Sequence, residues 1–169
     1  MLFRSGGSAR AVVAALAELE LAAIQIAGRR PEALAALLAD CSGWSTGIDG
    51  LDWSGRPGDL AAPLTSADLV VNTTPVGMAS AQDAAAAERC PLAEADLEAL
   101  GPGTVVYDLI TTPRPTRLLE RAAALGCPVI DGLEMLVGQG AAALRLWTGS
   151  AEVPVAAMRR AALAQLEGA

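Results

Sequence analysis

Two short segments of the sequence carry groups suited to binding a phosphorylated ligand. Gly6, Gly7 and Ser8 precede a stretch of helical spacing, and glycines at a helix start let backbone N–H groups approach an anion. Arg29 and Arg30 follow a short apolar run, about 20 residues further on, where an acid would bind a ribose 2′-hydroxyl. Two guanidinium groups at that position suit a 2′-phosphate instead. The spacing therefore predicts a dinucleotide site that selects the 2′-phosphorylated form.

A third polar segment ends a predicted buried strand. Residues 68–73 contain an apolar run without alternation, which is typical of strands in parallel sheets, and Asn72, Thr73 and Thr74 follow it. Ligands of α/β proteins bind beyond the carboxyl ends of such strands. Thr73 and Thr74 are therefore candidate ligand contacts.

Each of these features also has a purely structural interpretation. A Gly-Gly pair before a helix is often an ordinary turn, and Asn and Thr at a strand end often cap loose backbone groups. Paired arginines are often a solvated surface, although cations at a helix N-terminus oppose the helix dipole. An anionic ligand would remove that conflict, so the arginine pair favours a binding site.

The chemistry open to this chain is narrow. All 12 basic residues are Arg, which stays protonated and is a poor proton shuttle, and the sequence has no His. Proton transfer would fall to carboxylates, thiols or Tyr107, or to another domain. Cys41, Cys90 and Cys127 are widely spaced and form no pair typical of a metal site. We therefore predict reduced thiols and no bound metal.

The composition narrows the class of protein. A length of 169 residues predicts one domain, and a net charge of −7 argues against nucleic acid, whose phosphates need a basic surface. No apolar run approaches the roughly 20 residues that span a bilayer, and the first residues lack the apolar region of a signal peptide. We predict a cytoplasmic protein that binds neither nucleic acid nor membrane.

Strand-like runs alternate with stretches of helical spacing. We predict strands over residues 22–27, 48–53, 68–73, 104–108 and 128–130, and helices starting at Gly6, Pro31 and Pro115 and covering 133–147 and 154–166. This order predicts an α/β fold with a Rossmann-like doubly wound parallel sheet and two C-terminal helices. Residues 1–5 are short and polar at their end, so we expect the sheet to be truncated there and its first strand to be missing.

Four runs in this sequence together resemble the C-terminal, cofactor-binding half of shikimate dehydrogenases. They are GGSARAV at 6–12, NTTPVGM at 72–78, VYDLI at 106–110 and VIDGLEMLVGQGAAALRLWTG at 129–149. The last run is long and highly specific, and the order and spacing of all four match the family. The resemblance covers residues 6–158.

The resemblance implies NADP as cofactor and a set of residues that bind it: Gly6, Gly7, Ser8, Gly28, Arg29, Arg30, Thr73, Thr74, Leu109 and Gly132. Within this set the glycine turn holds the pyrophosphate, Arg29 binds the 2′-phosphate, and Leu109 and Gly132 lie by the nicotinamide. Gln139 and Thr111 are the implied substrate contacts, although Thr111 stands where the family has Tyr. Arg4 and Ser5 likewise replace the Gly-Ala that begins the family's glycine loop.

The family's reaction is the reversible oxidation of shikimate to 3-dehydroshikimate in the biosynthesis of chorismate and aromatic amino acids. Its catalytic Lys and Asp belong to a preceding substrate domain, so the resemblance assigns no catalytic residue to this chain and predicts that the chain alone is inactive. Residues 1–169 would form the NADP domain. In helix 133–147, we expect one apolar face, ending at Trp147, to pack on the sheet and the face carrying Gln139 to contact the missing domain.

Two alternatives remain open at the level of sequence. One is a relative of the quinate/shikimate dehydrogenase type with relaxed cofactor use, which substitution of Arg29 would distinguish. The other is a non-catalytic nucleotide-binding module, which the reading frame upstream of Met1 would distinguish.

Overall fold

Six parallel strands form one sheet in the order β3-β2-β1-β4-β5-β6. The computed structural model describes residues 2–3, 6–19, 21–45 and 47–167. The strands are β1 Leu2–Phe3, β2 Ile24–Gly28, β3 Ile48–Asp52, β4 Leu69–Asn72, β5 Val105–Asp108 and β6 Val129–Ile130. The order reverses between β1 and β4, which confirms the predicted doubly wound sheet.

Seven α-helices connect or follow these strands in the described part of the chain. They are α1 Gly7–Ala17, α2 Pro31–Cys41, α3 Ala61–Thr65, α4 Glu94–Leu97, α5 Arg117–Ala124, α6 Leu133–Thr148 and α7 Val155–Glu167, with a 3-10 turn at Ala84–Glu88. The two predicted C-terminal helices are therefore present. The sequence analysis predicts no helix at the position of α3.

The prediction that the first strand is missing is wrong. Leu2 and Phe3 form a two-residue strand that pairs in parallel with Ile26 and Ala27 on one side and with Val71 and Asn72 on the other. A central strand has a backbone partner on both sides, and the described pairing of these two residues places β1 in the middle of the sheet. The polar residues Arg4 and Ser5, on which the prediction depended, lie outside the described residues.

Strands β2 and β4 are largely buried on both faces because helices cover each side of the sheet, whereas the edge strands β3 and β6 are more exposed. Val70 and Val71 are neighbours on β4 with 0% and 1% exposure, and they point into different apolar cores. The core on one face joins β2 and β4 to α1 and α2, and the core on the other joins them to α3, α4 and α5. Continuous apolar strands are what such a two-sided arrangement requires.

Local signals set the helix ends where the sequence predicts them, with small shifts. Pro31 occupies the first turn of α2, where its missing N–H costs nothing. Helix α5 begins at Arg117, two residues after the predicted Pro115, because the Thr116 hydroxyl accepts a hydrogen bond from the Leu119 N–H and caps the helix. Gly149 ends α6 in a left-handed conformation, φ +67°.

The predicted apolar face of α6 is partly wrong. Leu133, Val137 and Ala141 are its buried residues, whereas Trp147 is 77% exposed and Leu146 is 83% exposed. Ala141 is weakly apolar, so the sequence pattern does not identify it as part of the buried face. Trp147 is large and apolar, so the pattern includes it in that face, although this end of the helix is exposed. Among the described residues, no helix is long and apolar enough to cross a membrane.

Leu37→Ala should destabilise the fold strongly. Leu37 is fully buried in the core between α2 and the sheet, and its truncation would leave a cavity. We expect the free energy of unfolding, measured by urea titration, to fall by about 2–5 kcal/mol. Leu146→Ala removes the same atoms from an exposed helical position and should change it by less than about 0.5 kcal/mol. Equal losses in the two variants would contradict this packing.

Candidate functional site

A cleft of about 230 Å³ opens at the carboxyl edge of the sheet, beside β2 and β3. Its lining brings together residues from the β2–α2 connection, from the segment after β3 and from the segment after β4: Gly28, Arg29, Arg30, Trp53, Thr74, Pro75, Val76 and Pro91. The arginine pair and Thr74, which the sequence identifies separately, therefore share one cleft. Trp53, Pro75, Val76 and Pro91 were not predicted to belong to it.

Strand pairing explains how Arg29 and Trp53 come together. Gly28 on β2 is the register partner of Asp52 on β3, so the next residue of each strand emerges side by side at the sheet edge. The Arg29 Cζ atom lies 4.4 Å from the centroid of the Trp53 ring, which is within the range of a cation–π contact. A predicted strand ending in an aromatic residue, parallel to the strand ending at Gly28, is the signal that could have found Trp53.

The start of α1 lies at the same edge of the sheet. Gly6 is the N-cap residue and has no side-chain cap, and the first turn of the helix contains no acidic residue. Gly7 and Ser8 are exposed, and as the first residues of the helix their backbone N–H groups have no helical partner and are open to an anion. The Arg10 side chain turns away to α2, where its Nε donates to Asp40 Oδ2 at 2.8 Å.

A buried carboxylate holds the ends of β4 and β5 together. Asp108 is 0% exposed, and its Oδ1 accepts from Asn72 Nδ2 at 3.0 Å and from the Ile110 N–H at 3.1 Å. Its Oδ2 accepts from the Thr116 hydroxyl at 2.7 Å. Burial raises the pKa of Asp108 above its usual value, and the hydrogen bonds from Thr116, Ile110 and Asn72 oppose that rise. The sequence analysis missed this residue, although an acid that ends an apolar strand needs partners.

The same network shapes the segment after β4. Asn72 Oδ1 accepts from both the backbone N–H of Thr74, at 2.9 Å, and its hydroxyl, at 2.7 Å. The Thr74 hydroxyl oxygen in turn accepts from the Val76 N–H at 3.1 Å. Thr73, which lies between Asn72 and Thr74 in the chain, is buried at 4% exposure. Thr74 and Val76 are thus fixed on one wall of the cleft.

Leu109 and Gly132 meet at the next part of the edge. The Leu109 N–H donates to the Asn72 carbonyl at 3.1 Å, and the Gly132 N–H donates to the Ile110 carbonyl at 3.3 Å. A Cβ atom at Gly132 would lie 2.3 Å from the Leu109 carbonyl oxygen, so only glycine fits here. Helix α6 therefore starts directly against the segment that follows β5.

Asp131 anchors the start of α6. Its Oδ1 accepts from the Leu133 N–H at 3.0 Å, and its Oδ2 accepts from Arg114 Nε at 2.8 Å. Gln139 lies further along α6 and is exposed, and Thr111 is half-buried just after Ile110. Neither Gln139 nor Thr111 lines the arginine cleft, so the structure separates the predicted substrate contacts from the predicted 2′-phosphate site.

Comparison with known proteins agrees with this geometry. Residues 132–163 match the model of the shikimate 5′-dehydrogenase C-terminal domain. Over 166 residues the chain is 45% identical to a shikimate dehydrogenase (NADP(+)) of Synechococcus sp. strain JA-2-3B'a(2-13), and the match covers 98% of this chain and 55% of that protein. The chain spans about half the length of the curated relatives it matches.

Solved structures give the same result for the fold. Quinate dehydrogenase from Corynebacterium glutamicum, in complex with NAD, superimposes with a TM-score of 0.82 at 30% identity, covering 96% of this chain and 54% of that one. Shikimate 5-dehydrogenase from Thermus thermophilus, in complex with NADP(H) and shikimate, gives 0.74 at 31% identity, covering 95% and 52%.

The strand order, with a basic cleft and an uncapped helix start at its carboxyl edge, defines a doubly wound α/β domain of the Rossmann-like class. The matched relatives then point to one family: nearly the whole chain is similar to about half of each listed shikimate dehydrogenase, and residues 132–163 match the family's C-terminal domain.

Gly132→Ala should destabilise the domain. Its methyl group would overlap backbone carbonyls of Leu109 and Ile110, which cannot swing aside as a side chain can. We expect the free energy of unfolding to fall by about 1–3 kcal/mol or more. Gly138→Ala is the matched control, because a Cβ on this α6 residue meets nothing within 4 Å. That variant should gain about 0.5–1 kcal/mol from helix propensity. A neutral Gly132→Ala would contradict the close contact.

Asp108 should titrate above its ordinary pKa of 3.8, because burial disfavours its charged form. In that case the folded state keeps a proton that the unfolded state has already lost. This group's contribution to stability should therefore fall as the pH rises from the unfolded-state pKa to the folded-state pKa. The measurement is an NMR titration of the Asp108 side-chain carboxyl carbon. A pKa at or below that of the urea-unfolded chain would contradict the prediction.

Proposed function

We propose that this chain is the NADP-binding part of an enzyme that interconverts shikimate and 3-dehydroshikimate. The observation that carries the proposal is the guanidinium of Arg29, stacked on Trp53 in a cleft at the end of β2. A cation at this position suits a ribose 2′-phosphate. The relatives named shikimate dehydrogenase (NADP(+)), at up to 45% identity, support the same cofactor and reaction.

The described residues fit such a cofactor along one edge of the sheet. Gly6, Gly7 and Ser8 would hold the pyrophosphate on the open N–H groups of α1. Arg29 would bind the 2′-phosphate, with Gly28 and Arg30 beside it in the same cleft. Thr74 lines the same cleft, and the remaining proposed contacts lie outside its lining, after the ends of β4, β5 and β6: Thr73, Leu109 and Gly132.

When bound, the nicotinamide supplies the hydride chemistry of this class of enzyme. The chain's own task would be to orient it, and the backbone at Gly132 and Leu109, which pack closely together, would contribute to that task. The Asp108 network would hold the neighbouring strand ends in place. In this proposal, the acid–base groups of the reaction come from a substrate-binding unit outside the 169 residues.

The substrate side of the proposal concerns α6. Gln139 is exposed on this helix, and we propose that it reaches the shikimate hydroxyls while its face of α6 contacts the substrate-binding unit. Thr111 would lie on the same side.

A cytoplasmic location is likewise proposed from the sequence and from the biosynthetic reaction.

A quinate dehydrogenase that uses NAD is the second candidate, since a quinate dehydrogenase in complex with NAD gives a TM-score of 0.82. The charge at the end of β2 argues against NAD. NAD sites place an acid at this position to bind the ribose 2′-hydroxyl, whereas this chain places Arg29 and Arg30 there. The similarity to that enzyme leaves shikimate and quinate as alternative substrates of one cofactor-binding architecture.

Arg29→Ala should remove most of the preference for NADP. A charge-assisted hydrogen bond is worth about 1.5–3 kcal/mol, so the Kd for NADPH should rise about 10- to 100-fold, with little change for NADH. Fluorescence titration of the purified chain measures both constants. Arg160→Ala makes the same change of charge on α7, away from the cleft lining, and should leave the two constants unaltered. An unchanged NADPH constant in Arg29→Ala would refute the proposed 2′-phosphate site.

The isolated chain should bind NADPH but turn over no substrate, because the proposal places the proton-transfer groups elsewhere. The assay is NADPH formation from NADP and shikimate, followed by absorbance over a series of protein concentrations. Shikimate-dependent turnover by the purified 169-residue chain would contradict this division of roles.

A further inference from the structure

We infer that Trp53 is a positioning residue: it fixes the Arg29 guanidinium in the orientation that binds a 2′-phosphate, and so it contributes to the choice of NADP over NAD. The inference rests on the proposed function, because it concerns how that same cleft discriminates between two dinucleotides. It assigns a specificity role to a side chain at the end of β3, outside the glycine turn and outside the arginine segment.

The indole of Trp53 is a rigid platform. The residue is only 5% exposed and belongs to the core that also contains Leu60 and Leu64. Because the surrounding core restrains the indole ring, the ring cannot move with a mobile side chain packed on it. The guanidinium that stacks on it, 4.4 Å from the ring centroid, is therefore restrained by a fixed surface.

Stacking on Trp53 also leaves the N–H donors of the Arg29 guanidinium available to a ligand. A cation–π contact uses the flat face of the guanidinium, whereas its N–H donors lie in the plane of the group and point outward. Among the residues that the structure describes, no carboxylate forms an ion pair with Arg29. Arg10 and Arg114, in contrast, are held by Asp40 and Asp131. Arg29 thus keeps its donors for an external anion.

A glycine borders the same side chain. Gly55 adopts φ +83°, and a Cβ built on it would lie 3.4 Å from Arg29 Nε and 3.7 Å from Cζ. The backbone of the β3–α3 connection therefore passes beside the guanidinium, and its positive φ at Gly55 is a conformation that favours glycine. Trp53 and Gly55 together narrow the orientations open to Arg29 before any ligand arrives. Such restriction reduces the ordering cost of binding.

The experiment compares two probes that differ only in the phosphate concerned, 2′,5′-ADP and 5′-AMP, by calorimetric titration of the full chain. Trp53→Leu keeps an apolar side chain but removes the ring. We expect this substitution to raise the Kd for 2′,5′-ADP about 3- to 10-fold and to change the Kd for 5′-AMP by less than about 2-fold. Trp53→Phe keeps a smaller ring and should recover part of the loss.

Two further variants test whether Trp53 acts through Arg29. Trp44→Leu removes a tryptophan that is 42% exposed near the end of α1, remote from the cleft lining, and should leave both affinities unchanged. In an Arg29→Ala background, Trp53→Leu should cause no further loss of 2′,5′-ADP affinity, because the group that it positions is gone.

Distinct outcomes overturn the two proposals. Equal weakening of both probes by Trp53→Leu would show a general structural role and refute the inference. If Arg29→Ala abolishes the preference for 2′,5′-ADP over 5′-AMP and Trp53→Leu leaves that preference unchanged, the inference is refuted and the proposed function stands. No preference for 2′,5′-ADP in the unsubstituted chain would refute the proposed function itself.

A measurement on the unsubstituted chain keeps the inference testable if the Trp53 variants do not fold. Nitrogen-15 relaxation of arginine Nε atoms reports how restrained each guanidinium is. We expect Arg29 to be clearly more ordered, without ligand, than the exposed Arg160 on α7. Equal mobility of the two side chains would overturn the inference.

Discussion

The site depends on one buried carboxylate. Asp108 lies at the end of β5 with 0% exposure, and its oxygens accept hydrogen bonds from Asn72, Ile110 and Thr116. These partners belong to β4, to the segment after β5 and to the cap of α5, so one side chain sets the relative positions of three elements. A charge buried at such a depth is tolerated only when its partners stay in place, and this makes the edge of the sheet rigid where a ligand would lie.

Much of this arrangement follows from the sequence, because its strongest signals are long or local. Continuous apolar runs predict parallel strands, and Pro31 predicts the residue at which α2 begins. The cleft could be anticipated only in part. Arg29 and Thr74 are identifiable from their strand ends, whereas Trp53 joins them through the register of β2 with β3, a long-range relation that a local pattern does not contain. The exposed Trp147 was misplaced because helical spacing shows which residues share a face and does not show which face is covered.

The described arginines have partners of different kinds. Four of them tie one element to another through carboxylates: Arg10 with Asp40, Arg114 with Asp131, Arg121 with Glu94, and Arg159 with Glu134. Most of these side chains are partly exposed, so each pair contributes modestly to stability. Arg29 rests on an aromatic ring instead. In a chain without lysine, this difference in partner distinguishes a guanidinium available for recognition from those used in the scaffold.

Strand β1 joins the two halves of the sheet. It lies between β2 and β4 in the sheet order, and its described residues, Leu2 and Phe3, pair with both neighbours. β1 is thus the seam between a β3–β2 half and a β4–β5–β6 half. The glycine turn follows that seam, and the proposed cofactor contacts lie on both sides of it. A dinucleotide bound there would act as a clasp across the seam, so the cohesion of the two halves would rise with the concentration of free cofactor.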